Sequence, residues 1–209
     1  MEKTKSLSRA LRISKDIQGV AGTAYKVCMV QSIDGDTMQA CVNRENESIE
    51  LTHTLVDSMT NAELAFTIAH EVAHYVNDDK RRLERKGEEY TKMLVDGISE
   101  NNAKLKERGH GFLYRAICNT SLAAIGMAGG YLTLRQEGQK YESEADELAL
   151  QYMQEAGYDA HAAISALRKL HGGELLDFGL WNSLILSVTS THPLPRDREE
   201  GIKKKLRED

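Results

Sequence analysis

Between residues 60 and 77, Leu64, Ile68, Val72 and Val76 recur at every fourth position, the spacing that lines one face of an α-helix. Thr60 followed three residues later by Glu63 is a capping-box start for that helix. His70 and His74 stand about 200° round from the apolar stripe. Phe66, Ala69 and Ala73 lie near them, so the pattern predicts a helix buried on several sides. A second periodic run covers Tyr141–Ala156, with Ala145, Leu148, Ala149, Tyr152 and Ala156 on one face and Gly157 placed to stop it. Asp159 is an N-cap for a third helix through Leu170, whose core side carries Ala163, Ala166, Leu167 and Leu170. Residues 4–18 read as a surface helix and "LLDFGLWNSLILSV" (175–188) as helical core. A charged C-terminal helix follows the loop "STHPLPRDR".

Three short runs have strand character. "AYKVCMVQ" (24–31) and "TMQACV" (37–42) flank Asp34-Gly35, a hairpin turn signal because both positions tolerate positive φ. "SIELTH" (48–53) alternates Ile49 and Leu51 with polar residues and reads as a half-buried strand at the sheet edge. Residues 78–111 are densely charged and predict solvated helix broken at Gly87 and Gly97. Ala116–Leu134 carries no charge and approaches the length of a membrane span, about 20 residues. Asn119, Thr120, Ser121, Thr133 and its glycines favour a buried helix or hairpin over an element touching the membrane.

Composition narrows the classes. The 209 residues, 41% hydrophobic and 28% charged, suit one soluble domain spanning 1–209, with 78–140 as a helical insertion or lid. A net charge of −5 offers no electrostatic case for nucleic acid. Three dispersed cysteines, Cys28, Cys41 and Cys118, argue against a disulfide framework and for a reducing compartment. The first residues contain no apolar run of the signal-peptide kind. The expected location is cytoplasmic; a membrane-associated or periplasmic setting is the alternative.

The chemistry concentrates in "HEVAH", residues 70–74. Helical spacing of i and i+4 stacks two imidazoles within reach of one zinc ion. Glu71 stands to the side, where a base could take a proton from a metal-activated water. By chance alone the motif arises in roughly two of a hundred such chains, so a helix with two satisfied histidines is the competing reading. A catalytic zinc also needs a third protein ligand and an open position. "YESEADELAL" supplies Glu142 and Asp146 at i and i+4, one able to bind metal and the other to orient a ligand histidine. Glu144 would point elsewhere. Read without a metal, these acids suit the start of a helix, where the macrodipole favours negative charge. His53, His110, His161 and His171 have no partner motif and read as non-ligands. Tyr131, Tyr141 and Cys118 read as packing residues.

HEVAH (70–74), ESEAD (142–146) and THP (191–193) followed by Arg198 resemble, in the same order, the HExxH, ExxxD and HPxxxxR motifs of the M48 family of zinc metallopeptidases. The similarity extends over residues 20–80 and 140–200. It implies an α+β, mainly helical zincin-like domain with a small β-sheet and an HExxH active-site helix. It implies one zinc ion per chain on His70, His74 and Glu142, with Glu71 as general base and Asp146 bonded to His70. His192 and Arg198 would lie near the cleft and stabilise substrate or the developing oxyanion, and strand 48–53 would pair with an extended, unfolded polypeptide substrate. Family members often carry transmembrane helices, and here only 116–134 approaches one, so membrane contact is not favoured. Three alternatives stand beside a soluble zinc metalloendopeptidase: a zinc-bound module that holds a peptide without cutting it, a latent enzyme in which His192 blocks the metal, and a membrane-docked quality-control protease anchored by 116–134.

Overall fold

The computed structural model describes residues 2–31, 37–172 and 195–208. Asp34-Gly35, the apolar run 175–188 and His192 lie outside them. The chain order is α1 (Glu2–Ala21), β1 (Lys26–Val30), β2 (Ala40–Asn43), β3 (Ser48–Thr52), α2 (His53–Ser58), α3 (Asn61–Asn77), α4 (Asp79–Glu107), α5 (Phe112–Glu155), α6 (Ala162–Gly172) and α7 (Pro195–Glu208). The described residues divide into two compact units, Met1–Asp78 with Tyr141–Asp209, and Asp79–Lys140.

In the first unit the sheet order is β1-β3-β2. β3 runs parallel to β1, with Val27 opposite Ile49, and antiparallel to β2, with Val42 opposite Ile49. Two expectations are overturned. β1 and β2 do not form a hairpin about Asp34-Gly35, and β3 is the central strand. The physical reason is burial: Ile49 and Leu51 are fully buried, and Ser48 and Thr52 nearly so. A strand that deeply buried has its backbone groups satisfied on both sides. A turn signal reports that the chain can reverse, and says nothing of which strand ends up alongside.

The core gathers around α3. Ala10, Ile13 and Ile17 from α1, Leu55 and Val56 from α2, Ala149 and Met153 from α5, Ala163 and Leu167 from α6, and Ile202 from α7 belong to one apolar cluster with Leu64, Phe66, Ile68 and Val72. Every residue from Glu63 to Ala73 is buried, so α3 is enclosed as its pattern predicts. Val76, at the end of the apolar stripe, is exposed because the last turn emerges from the core.

Polar contacts set the position of α3. At its start Glu63 N–H donates to Thr60 Oγ1 at 3.3 Å, and Thr60 N–H donates to the Glu63 carboxylate at 2.7 Å. Both halves of the capping box are therefore formed. Lys169 Nζ adds a 2.7 Å ion pair to the same carboxylate. Burial alone would raise the Glu63 pKa, but the Lys169 and Thr60 bonds outweigh it and hold it at about 2. Arg9 of α1 binds Val56 O and Asn61 Oδ1, each at 2.7 Å, which fastens α1 to the entry of α3. At the far end Asp78 adopts a left-handed conformation, φ 56°, and its N–H closes the last turn. Arg44, in the turn between β2 and β3, donates to His74 O and Tyr75 O at 3.2 Å and pairs with Asp78 at 2.6 Å. It gives these two carbonyls of the last turn a second donor beside the Asp78 N–H and ties the β2–β3 hairpin to α3.

The second unit is a helical hairpin. Gly109, φ 77°, turns the chain between α4 and α5. Tyr90 Oη donates to Gly126 O at 2.8 Å and Asn101 Nδ2 to Asn119 Oδ1 at 2.9 Å. A Cβ on Gly126 or Gly130 would overlap Leu94 or Tyr90, so these glycines permit the close approach. Gly87 and Gly97 do not break α4, contrary to expectation. Residues 116–134 form neither a separate element nor a buried one. They belong to the 44-residue α5, which continues into the first unit from Tyr141, and much of their surface is exposed.

Candidate metal centre

α3 presents His70 and His74 one turn apart, with their Nε2 atoms 3.1 Å from each other. α5 brings Glu142 across, its Oε1 3.2 Å from His74 Nε2 and its Oε2 3.3 Å from His70 Nε2. One donor atom from each of the three residues lies within 4.8 Å of the others, so the group could hold a metal ion. Among the described residues this is the group of that kind, and His53, His110, His161 and Glu144 do not join it. Donors at about 2.0–2.1 Å from a tetrahedral zinc stand about 3.3 Å apart along each edge. The two imidazole nitrogens, 3.1 Å apart, stand close to such an edge, and each faces its own oxygen of Glu142, at 3.2 and 3.3 Å.

Asp146, one turn after Glu142, places Oδ1 3.0 Å from His70 Nδ1. A carboxylate there accepts a hydrogen bond from Nδ1–H, which keeps the proton on Nδ1 and leaves Nε2, the atom facing Glu142 and His74, as the lone-pair donor. His70 is buried, which lowers its pKa, as do Arg198 and His74; the Asp146 and Glu142 carboxylates outweigh them and hold it above the ordinary imidazole value.

Arg198, on α7, reaches both carboxylates from behind. Nε and Nη2 donate to Asp146 at 2.9 and 2.6 Å, and Nη1 lies 3.2 Å from Glu142 Oε2. Its side chain is 9% exposed, so the guanidinium is occupied with the acids that surround it. Burial raises the Asp146 pKa, but the Arg198 and His70 bonds prevail and hold that carboxyl low.

The reading of Glu142 and Asp146 as acids at a helix start fails. Both lie deep inside α5, about thirty residues beyond Phe112, where backbone N–H groups are taken up by the helix. Buried carboxylates there need cations. Glu71, Glu142 and Asp146 are each at most 5% exposed, and among the described residues the Arg198 guanidinium stands between Asp146 and Glu142. With neutral imidazoles, Glu71, Glu142, Asp146 and Arg198 together carry a formal charge of −2, which a divalent cation cancels. The donor set, its spacing and its charge therefore fit zinc.

Glu71 follows His70 by one residue, about 100° round α3. Its carboxylate acts on Cys41 of β2: burial first, then Glu71 and Glu50, push that thiol up to about 11. β2, the last strand of the sheet, thus runs beside the Glu71 side of α3. Neither Cys41 nor Arg44 carries a sequence signal for this position, because each acts through a contact made only once the hairpin is folded onto α3.

A mainly helical body, a small three-stranded sheet and a His–His–Glu group that could hold a metal fit a metallopeptidase domain. The chain belongs to peptidase family M48, which it matches over residues 4–206. Membership indicates a metallopeptidase acting on polypeptides. No curated protein matches the chain.

Proposed function

We propose that the protein is a zinc-dependent metalloendopeptidase, with one zinc ion per chain held by His70, His74 and Glu142. The observation that supports it most directly is the convergence of His70, His74 and Glu142, one ligand atom from each lying within 4.8 Å of the others. M48 metallopeptidases are generally zinc-dependent. Zinc bound there supplies a Lewis acid that polarises the scissile carbonyl and lowers the pKa of a water.

The protein's own groups do the rest. Asp146 holds the His70 ring in the tautomer that offers Nε2. Arg198 holds the Asp146 and Glu142 carboxylates in place, a positioning role in this reading rather than a direct contact with substrate. Glu71 accepts the proton of the attacking water and passes it to the leaving amine. An extended peptide pairs with the outer edge of β2, which has no strand beside it among the described residues, since strand 48–53 already has a partner on each side. Glu71→Gln keeps the carboxamide near the same place but removes the base. It should retain zinc and lose cleavage of casein by about 10²–10⁴-fold. Cleavage at the wild-type rate would refute the assignment.

A further inference from the structure

α5 opens with Phe112, Leu113 and Tyr114, which are 77%, 74% and 51% exposed, and continues with Ile117 at 60%, Ile125 at 72% and Leu132 at 55%. From Ala116 to Leu134 it contains no charged residue. By length and composition this helix could cross a membrane, and only 6% of its most apolar stretch is buried. A soluble core helix is mostly buried and a signal sequence sits near the N-terminus; this segment is neither. An apolar face of this extent needs a cover.

The partner helix determines how that cover is arranged. α4 lies along α5 through Tyr90–Gly126 and Asn101–Asn119. Between Gly87, which faces Leu134, and Asn101, α4 exposes Glu88, Glu89, Lys92, Asp96 and Glu100. A spanning hairpin would carry all five into hydrocarbon, at a heavy cost for each. A hairpin lying flat avoids this, with α5 against the acyl boundary and α4 in water.

Charge selects the kind of surface. Lys104, Lys106, Arg108, His110 and Arg115 cluster about the hairpin turn, and Glu107 is the single acid between residues 101 and 134. The far end of the charge-free stretch has Arg135 and Lys140 against Glu137. A second copy packed face to face would set positive ends against positive ends in either direction. Anionic headgroups complement both ends, and Phe112, Tyr114 and Tyr131 supply the aromatics typical of that boundary.

We propose that the α4–α5 hairpin docks on an anionic lipid surface without crossing it. The test is co-sedimentation of the full chain with vesicles of phosphatidylcholine alone, or mixed with phosphatidylglycerol. Binding to the mixed vesicles, weakening as salt rises, is the expected result. Lys104→Ala and Lys106→Ala should each weaken it about fivefold. Leu113→Glu with Ile117→Glu should abolish it while leaving the melting temperature and casein cleavage unchanged, since both residues are exposed. Three outcomes overturn the proposal. One is no binding to either vesicle. Another is binding that resists alkaline carbonate, which would mean the hairpin spans the bilayer. The third is a dimer in light scattering that Ile117→Glu dissociates, which would give the face to a second copy.

Discussion

Replacing Arg198 by methionine, which keeps the length and removes the charge, separates a role in holding the site from a role in touching substrate. In the structure the guanidinium makes two charge-assisted hydrogen bonds to Asp146 and an ion pair to Glu142. Both carboxylates are at most 3% exposed. Removing one partner of a buried pair costs about 3–5 kcal/mol, because the charge left behind keeps its desolvation penalty. For a chain of this size each kcal/mol lowers the melting temperature by about 2–4 °C, so the metal-free variant should melt about 6–20 °C below wild type. Added zinc supplies positive charge at Glu142 and binds the folded state alone, so it should recover part of the loss. Arg198→Lys should fall between, since an ammonium cannot reach both acids in the same fork geometry. The assay is calorimetric melting of metal-free and zinc-loaded protein for all three. A metal-free melting point within about 2 °C of wild type, with cleavage nonetheless lost, would refute the reasoning and make Arg198 a group that meets the substrate.

Other expectations rest on neighbouring contacts. Asp146→Asn should weaken zinc binding about 10–100-fold in chelator competition, because the His70 ring loses the acceptor that orients it; unchanged affinity would remove Asp146 from the support of the site. Glu63 is held at about 2 against an ordinary value of 4.5. Its folded pKa is depressed, so its contribution is full above about pH 4.5 and is lost as pH falls toward 2. Acid melting of Glu63→Gln should therefore differ most from wild type near neutrality and converge with it toward pH 2. A constant difference over that range would contradict the capping and ion-pair account.

Periodicity is the part of this fold that the chain displays openly. A 3.6-residue repeat tells which side chains share a helix face, and that makes His70 with His74, and Glu142 with Asp146, legible as pairs. The capping box at Thr60 is legible for the same reason, since its partners are three residues apart. Periodicity does not tell which face meets which. The central place of β3 depends on β1 reaching it from more than twenty residues away, and nothing in "SIELTH" encodes that neighbour. Gly87 and Gly97 have the look of helix breaks, yet packing carries α4 straight through them, as tertiary context often does to weak propensities. The charge-free stretch from Ala116 to Leu134 resembles core because a helix pattern does not report whether a partner exists to bury it. Arg198 is visible as part of a motif, but its commitment to two buried acids depends on α7 packing Ile202 into the core and placing the side chain behind α5.

Metal content decides the central claim most directly. The account predicts about one zinc per chain in the wild type and in Glu71→Gln, and a loss of bound zinc in both His70→Ala and Glu142→Ala, measured by elemental analysis of purified, folded protein. Zinc retained at the wild-type level in both ligand variants would contradict it.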